Sequence, residues 1–253
     1  MGKTGAPCYR YRKVGSTNDL ARRLAARGAP EGTVVLAEEQ TRGRGRRGRA
    51  WHSPRGGLWF SVVLRPDLPP ARAPEATFVA AVAAVDALRA YPGVAAGIKW
   101  PNDLVAGGRK LGGILTETAG GERGPALVVG IGINVNLEER ALPPALRQTA
   151  TSVAALAGRP VDRERLLEEV LRFLEKWYRT WLAVGFGPVL AAWREREVCL
   201  GRPVRVVTAG EEWRGVALAV DDRGALLVER APGVVERVLA GDVMPACGPA
   251  KQG

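Results

Sequence analysis

Histidine and cysteine are nearly absent from this chain. Its 253 residues hold one histidine, His52, and three cysteines, Cys8, Cys199 and Cys247, far apart in sequence. With no CxxC pair and no histidine cluster, a zinc centre and a disulfide framework are not expected, and a Ser-His-Asp triad could use His52 alone. Such cysteine usage fits a reducing compartment, so a cytoplasmic protein is expected. No apolar run approaches the ~18 residues of a membrane-spanning helix. The N-terminal MGKTGAPCYRYRK lacks an apolar segment, so no secretory signal is expected, and Gly2-Lys3-Thr4 lacks the upstream glycine of a phosphate loop. Acidic residues are in deficit: 26 Asp+Glu against 37 Lys+Arg gives a net charge of +11. Such a charge attracts nucleic acid, acidic proteins or phosphorylated ligands. Only six of the cations are lysines, and an arginine bias of that kind suits a thermophile or a GC-rich genome as well as an anionic ligand.

What is present is an ordinary globular composition, 46% apolar and 25% charged, long enough to bury a core without staples. Ser16-Thr17-Asn18 precede DLARRLAARG and predict a helix that stops at Gly28. Strands are predicted at 33–39, 58–65 and 125–136, and a hairpin at 97–117 with Gly107-Gly108 as its turn. An alanine- and valine-rich stretch at 74–90 reads as a buried helix, and apolar residues from Leu166 to Trp181 recur at helical spacing. A shorter helix is predicted over Val189–Glu197, and residues 137–150 read as loop. From Gly201 onward short β-branched runs alternate with turns, which predicts a small antiparallel barrel. The expected division is 1–197 and 198–253.

Four segments carry chemistry. GRGRRGRAW at 43–51 matches G-x-G-x-x-G, but a dinucleotide loop must open a helix, and Pro54 with Gly56-Gly57 argues against one. Arg44, Arg46, Arg47 and Arg49 repel one another on a flexible scaffold, so the loop is expected to order over an anion; a solvated surface loop or an RNA tether is the alternative. In KWPNDL at 99–104, Asp103 suits Mg2+ and Asn102 a phosphate or sugar; a capped turn is the plain alternative. Lys110 lies in an otherwise apolar strand, facing an acidic or phosphorylated group or snorkelling at an edge. Gly130 and Gly132 in VVGIGINVN imply close approach of a ligand or backbone, or a bulge, with Asn134 facing a ligand in the first case.

Together STNDLARRLA (16–25), EEQTRGRGRRGRAWHSPRGGLWFSVVLRP (38–66), KWPNDL, GRKLGGILTE (108–117) and VVGIGINVN (128–136) resemble the biotin–protein ligases in order and spacing, over about residues 9–245. The resemblance implies an α+β fold: a mixed sheet with flanking helices like that of class II aminoacyl-tRNA synthetases, then a small SH3-like β-barrel. It implies two half-reactions, in which biotin and ATP form biotinyl-5′-adenylate and a lysine of a biotin carboxyl carrier protein then takes the biotinyl group. It places Ser16, Thr17, Asn18, Gln40, Arg44, Gly45, Arg46 and Lys110 on biotin or its activated carboxylate, with Gly112, Gly113, Ile114 and Leu115 as walls. Arg44, Arg46 and Lys110 would carry the catalytic charge with Mg2+ at Asp103. Arg47, Arg49, Trp51, Asn102, Gly130 and Asn134 would meet ATP or the adenylate. Ser16 comes too early to leave room for an N-terminal helix-turn-helix, so a ligase without DNA partner or membrane attachment, monomeric or homodimeric, is expected. Gly112 stands where the family would lead one to expect alanine. A lipoate or octanoate ligase of the same fold would waste the polar set Ser16–Asn18 and Gln40, and a basic nucleic-acid binder would leave KWPND and Lys110 unexplained.

Overall fold

The computed structural model describes residues 6–208 and 210–245; Gly2-Lys3-Thr4 and Cys247 lie outside them. The first sheet has seven strands: β1 (Cys8–Tyr11), β2 (Val34–Ala37), β3 (Leu58–Leu64), β4 (Gly97–Lys99), β5 (Asp103–Ala106), β6 (Arg109–Ala119) and β7 (Ala126–Ile133). Their spatial order is β1-β2-β3-β7-β6-β5-β4, with β1 parallel to β2 and every other pair antiparallel. Of the hairpin expected over 97–117, β5 and β6 form the part turned by Gly107 and Gly108 at φ +56° and +72°, the paired left-handed conformation of a tight two-residue turn, while Gly97–Lys99 is a separate strand, β4, beyond the 100–102 turn.

Among the described residues six α-helices accompany the sheets: α1 (Thr17–Ala26), α2 (Glu75–Leu88), α3 (Pro144–Arg147), α4 (Val153–Ala157), α5 (Arg163–Val184) and α6 (Phe186–Arg194). Alternation along β3 assigns the faces. Phe60, Val62 and Leu64 join the main core with α2, α5 and α6, whereas Val63 packs with Val35, Val128 and the Ala21–Ala25 side of α1. Trp59 and Ser61 share that second face, and the candidate site is built there.

The last five strands, β8 (Pro203–Val207), β9 (Glu212–Val220), β10 (Leu226–Ala231), β11 (Val234–Val238) and β12 (Asp242–Pro245), form an antiparallel sheet of order β11-β10-β9-β8-β12. Its Val204, Val206, Ala217 and Leu226 belong to the same apolar cluster as α2, so one continuous core runs between the two sheets. Trp100, fully buried, donates its Nε1 to the Gly224 carbonyl at 3.0 Å and ties the KWPND turn to this sheet.

Two sequence expectations shift here, and two elements were not foreseen. The helix predicted over Val189–Glu197 is Phe186–Arg194, because the backbone N–H groups of Cys199 and Leu200 turn onto Glu197 and end the helical run before it. The loop 137–150 contains a turn at Glu139–Ala141 and helix α3, entered through Pro143-Pro144. β1 and α4 carry no strong periodicity of their own: β1 is exposed along its length and is held by pairing with β2.

Candidate active site

Register lines residues up across the α1 face of the sheet. Trp59, Gly132, Gly113 and Asp103 form one cross-strand row; Ser61, Gly130 and Leu115 form the next, roughly 7 Å along the strands. Both rows pass through glycine where something packs on the backbone. A Cβ at Gly130 would collide with the Asn18 amide, and one at Gly132 would stand 2.9 Å from Trp51 Nε1. Gly113 also lies beneath the Trp51 ring, but its Cβ would meet it at an ordinary 3.5 Å. Above these rows lies a cavity of about 210 Å3.

The polar side is supplied by the start of α1. Ser16, Thr17 and Asn18 are buried, and Thr17 and Asn18 have the side-chain partners that buried polar groups require. Gln40 Oε1 accepts from Thr17 N at 2.8 Å, and Gln40 Nε2 donates to Ser53 Oγ at 2.9 Å. Asn18 Nδ2 donates to Glu117 at 2.7 Å, and its Oδ1 accepts from Ser61 Oγ at 2.6 Å. Ser61 also lies 2.8 Å from Thr17 Oγ1. This network fixes donors and acceptors around the cavity in one arrangement.

The arginine loop 42–49 is folded, and its cations are divided among carboxylates, which offsets the repulsion expected of it. Arg44 grips Asp19 at 2.7 and 2.8 Å and Glu117 at 3.2 Å. Arg49 reaches Asp242 at 2.8 Å, and Arg47 lies 4.0 Å from the same carboxylate. Among the described residues Arg46 has no carboxylate within 4.0 Å; its Nη1 lies 3.4 Å from Asn102 Oδ1. Burial lowers its pKa, yet a guanidinium remains charged. It is a cation lining the cavity that no carboxylate among the described residues contacts directly, with Asp242 and Asp103 acting on it from farther off.

Lys110 enters by a bulge. Asp103 pairs with Gly113 and Leu104 with Gly112, but Val105 pairs with Lys110, so Leu111 is the extra residue. The slip moves Lys110 onto the face of Asp103 and leaves Leu111 in the core. The loop after α3 braces it: Lys110 N donates to Thr149 O at 2.7 Å and Thr151 N to Lys110 O at 2.9 Å. Lys110 Nζ then sits 2.6 Å from Asp103 Oδ1 and 5.0 Å from the Trp51 ring centre, while Lys99 Nζ holds Asp103 Oδ2 at 3.0 Å. Burial pushes the Asp103 carboxyl up, but the two lysines outweigh it and hold it below the ordinary carboxylate range.

That arrangement does not fit Mg2+ held by Asp103. Both its oxygens face ammonium groups, and no cluster of three acidic, histidine or cysteine ligands occurs among the described residues.

Of the residues singled out in the sequence, the cavity gathers Ser16, Thr17, Asn18, Gln40, Arg44, Gly45, Arg46, Arg49, Trp51, Asn102, Asp103, Lys110, Gly113, Ile114, Leu115, Gly130 and Asn134. It does not gather Arg47, which borders a separate cavity beside Glu211 and Arg237. Some roles differ in detail. The close neighbour of Gly130 is the Asn18 amide, not backbone. Asn134 Nδ2 spends its hydrogen bonds on the Thr151 carbonyl at 3.0 Å and the Lys110 carbonyl at 3.4 Å. The Ile114 side chain is in the main core, and its carbonyl accepts from Asn102 Nδ2 at 2.7 Å. Gly112 is hemmed in by the Gly132 carbonyl 2.5 Å from where its Cβ would stand, so alanine does not fit there. Ser61, Asp19 and Glu117 escaped the sequence reading; only alternation on β3 could have placed Ser61 opposite Gly130.

Residues 11–134 match the biotin/lipoate A/B protein ligase family, and residues 199–244 match the biotin protein ligase C-terminal domain. The bifunctional ligase/repressor BirA of Bacillus spizizenii is 40% identical over 232 residues, 91% of this chain and 71% of that protein. The biotin–[acetyl-CoA-carboxylase] ligase of Paracoccus denitrificans is 38% identical over 231 residues, covering 87% of this chain and 93% of its own length. The structure of the Aquifex aeolicus biotin protein ligase in complex with biotin and ATP superposes with a TM-score of 0.81 at 28% identity, covering 94% of this chain and 97% of that one. With the cavity, the arginine loop and the C-terminal sheet all falling within these matches, the chain belongs to the biotin/lipoate A/B protein ligase family.

Proposed function

We propose that the chain joins biotin and ATP to biotinyl-5′-adenylate with release of pyrophosphate, and passes the biotinyl group to a lysine of a biotin carboxyl carrier domain with release of AMP. Homologues named as biotin ligases, with 38% identity over nearly the whole length of one of them, support the activity. The observation that carries the site assignment is Arg46: a half-buried guanidinium without a carboxylate, beside Asn102 and in the cavity that Lys110 also lines. Biotin attacks ATP as an anion on an anion, so cations spanning both reactants relieve the repulsion and stabilise the developing charge.

The roles follow from the two rows. Ser16, Thr17, Asn18 and Gln40, over the Gly130 row, offer the donors and acceptors that a ureido ring needs, and Leu115 with Gly113 offers an apolar wall. Trp51, over the Gly132 row, gives a flat face for adenine. Lys110 and Arg46 hold the biotin carboxylate against the α-phosphate, and Arg44 steadies the polar set through Glu117 and Asp19. Asn102, Arg49 and Asn134 complete the nucleotide side. Any Mg2+ comes with the triphosphate. No protein nucleophile is needed, in keeping with one histidine. The adenylate is an anhydride, and the loops 42–49 and 137–150 shield it from water.

The catalytic part corresponds to 1–197, with a class II synthetase-like sheet, and the part from 198 to an SH3-like unit. The test is transfer: a purified carrier domain incubated with this chain, biotin and ATP gains one biotinyl group by mass. A domain left unmodified by biotin but modified with lipoate would move the substrate within the family.

A further inference from the structure

The turn at Arg46–Gly48 places three cations within four residues, yet only Arg46 faces the cavity without a carboxylate. Arg47 borders a separate cavity and Arg49 lies at the edge of this one, and both meet one group, Asp242 at the start of β12. Arg49 Nη2 is 2.8 Å from Asp242 Oδ1, and Arg47 Nη1 is 4.0 Å from Oδ2. Arg47 holds the only left-handed backbone conformation of any non-glycine described residue, φ 56°. Such a conformation persists where the surroundings determine it. The turn has little else of its own: Gly45 N to Arg49 O at 2.7 Å and Arg49 N to Arg46 O at 3.2 Å. Asp242 comes from the far sheet, 193 residues on from Arg49.

We infer that Asp242 is a positioning residue for adenylate formation, pinning Arg47 and Arg49 so that the turn presents Arg46 to the reacting anions. The inference rests on the proposed ligase reading. Its chemistry is charge partition. Three guanidiniums on one turn repel. A single carboxylate beyond the turn pairs with two of them at close range and leaves the third, Arg46, without a carboxylate within 4.0 Å among the described residues. The C-terminal sheet thereby becomes part of the phosphate-handling loop without touching substrate. Biotin's polar contacts, Ser16–Asn18 and Gln40, lie on other elements and are independent of this pin.

The experiment compares the full chain with Asp242→Asn, Asp242→Glu, Arg47→Gln/Arg49→Gln and the triple variant. Asp242→Asn is expected to raise KM for ATP about fivefold, the scale of partly exposed ion pairs, and to speed loss of bound biotinyl-adenylate, while the biotin Kd and the thermal midpoint stay near wild type. Trypsin is expected to cut the 44–49 loop faster in the same variant, a readout that needs no activity. Asp242→Glu should recover most of both. Adding Asp242→Asn to the Arg47→Gln/Arg49→Gln protein should change nothing further, because the residue acts through those side chains. Unchanged KM and cleavage in Asp242→Asn, or full additivity in the triple variant, would overturn the inference. A wild type without biotin-dependent pyrophosphate release overturns the ligase reading itself, whereas an active wild type with an indifferent Asp242→Asn overturns only the pin.

Discussion

Lys110 Nζ and Asp103 Oδ1 stand 2.6 Å apart because one extra residue, Leu111, shifts the β5–β6 register. Without that bulge Lys110 would point into the main core and Leu111 into the cavity. Sequence periodicity shows only a lysine in an apolar strand; the bulge explains how it is tolerated. Lys110→Ala is expected to lose adenylate formation by roughly a hundredfold or more while the fold survives, since it removes charge at the reacting centre. Biotin-dependent pyrophosphate release at its wild-type rate in this variant would remove Lys110 from the mechanism.

Asp103 gives a pH prediction. Its folded pKa is depressed by Lys110 and Lys99, so its stabilisation is present above the unfolded value, near 4, and is lost as pH falls through the folded value. Asp103→Asn should therefore cost about 2 kcal/mol at neutral pH, less than a fully buried pair because Lys110 keeps contact with solvent. The wild type and the variant should converge toward pH 2. Urea midpoints between pH 7 and 2 test this; a constant gap across the range would contradict it.

The glycine rows predict an ordered series. Gly113→Ala meets the Trp51 ring at ordinary contact distance and should leave activity within about threefold. Gly132→Ala crowds Trp51 Nε1 and should raise KM for ATP, whereas Gly130→Ala displaces the Asn18 amide and should raise KM for biotin. Steady-state kinetics with each substrate varied separates the two; equal effects on both substrates would mean that the rows do not divide the ligands.

Arg46→Gly removes the guanidinium that lacks a carboxylate and is expected to release biotinyl-adenylate into solution, where it labels bystander lysines. Biotin blotting of an unrelated protein added to the reaction measures it. Labelling no higher than with the wild type would contradict the holding role.

Ser61 was invisible in the sequence, a serine in a run of valines and aromatics. It is fully buried and within 2.8 Å of both Thr17 and Asn18. Ser61→Ala leaves Asn18 Oδ1 without its donor and should weaken biotin binding about tenfold with kcat little changed. Titration calorimetry reports the affinity; an unaltered Kd would assign Ser61 to the core alone.

The segments that line the candidate site were legible because glycine, arginine and proline punctuate them, and their order along the chain carries the family. The strands and long helices followed from apolar period. What stayed hidden depends on pairing between distant segments. The bulge at Leu111 needs the partner strand; the partition of Arg44, Arg47 and Arg49 needs Asp19, Glu117 and Asp242 from elsewhere. The loop's sequence shows bunched cations, expected to order over an anion or else to stay a solvated loop or RNA tether, whereas the fold brings carboxylates to three of them. Asp103 looked like a metal ligand until both neighbouring lysines were in place.

The most direct test is pyrophosphate release from ATP and Mg2+ by the purified chain, with biotin, with lipoate and with neither, and without any carrier. The account predicts release with biotin only, leaving biotinyl-adenylate on the protein. Release with lipoate instead, or none with either from folded protein, would contradict it.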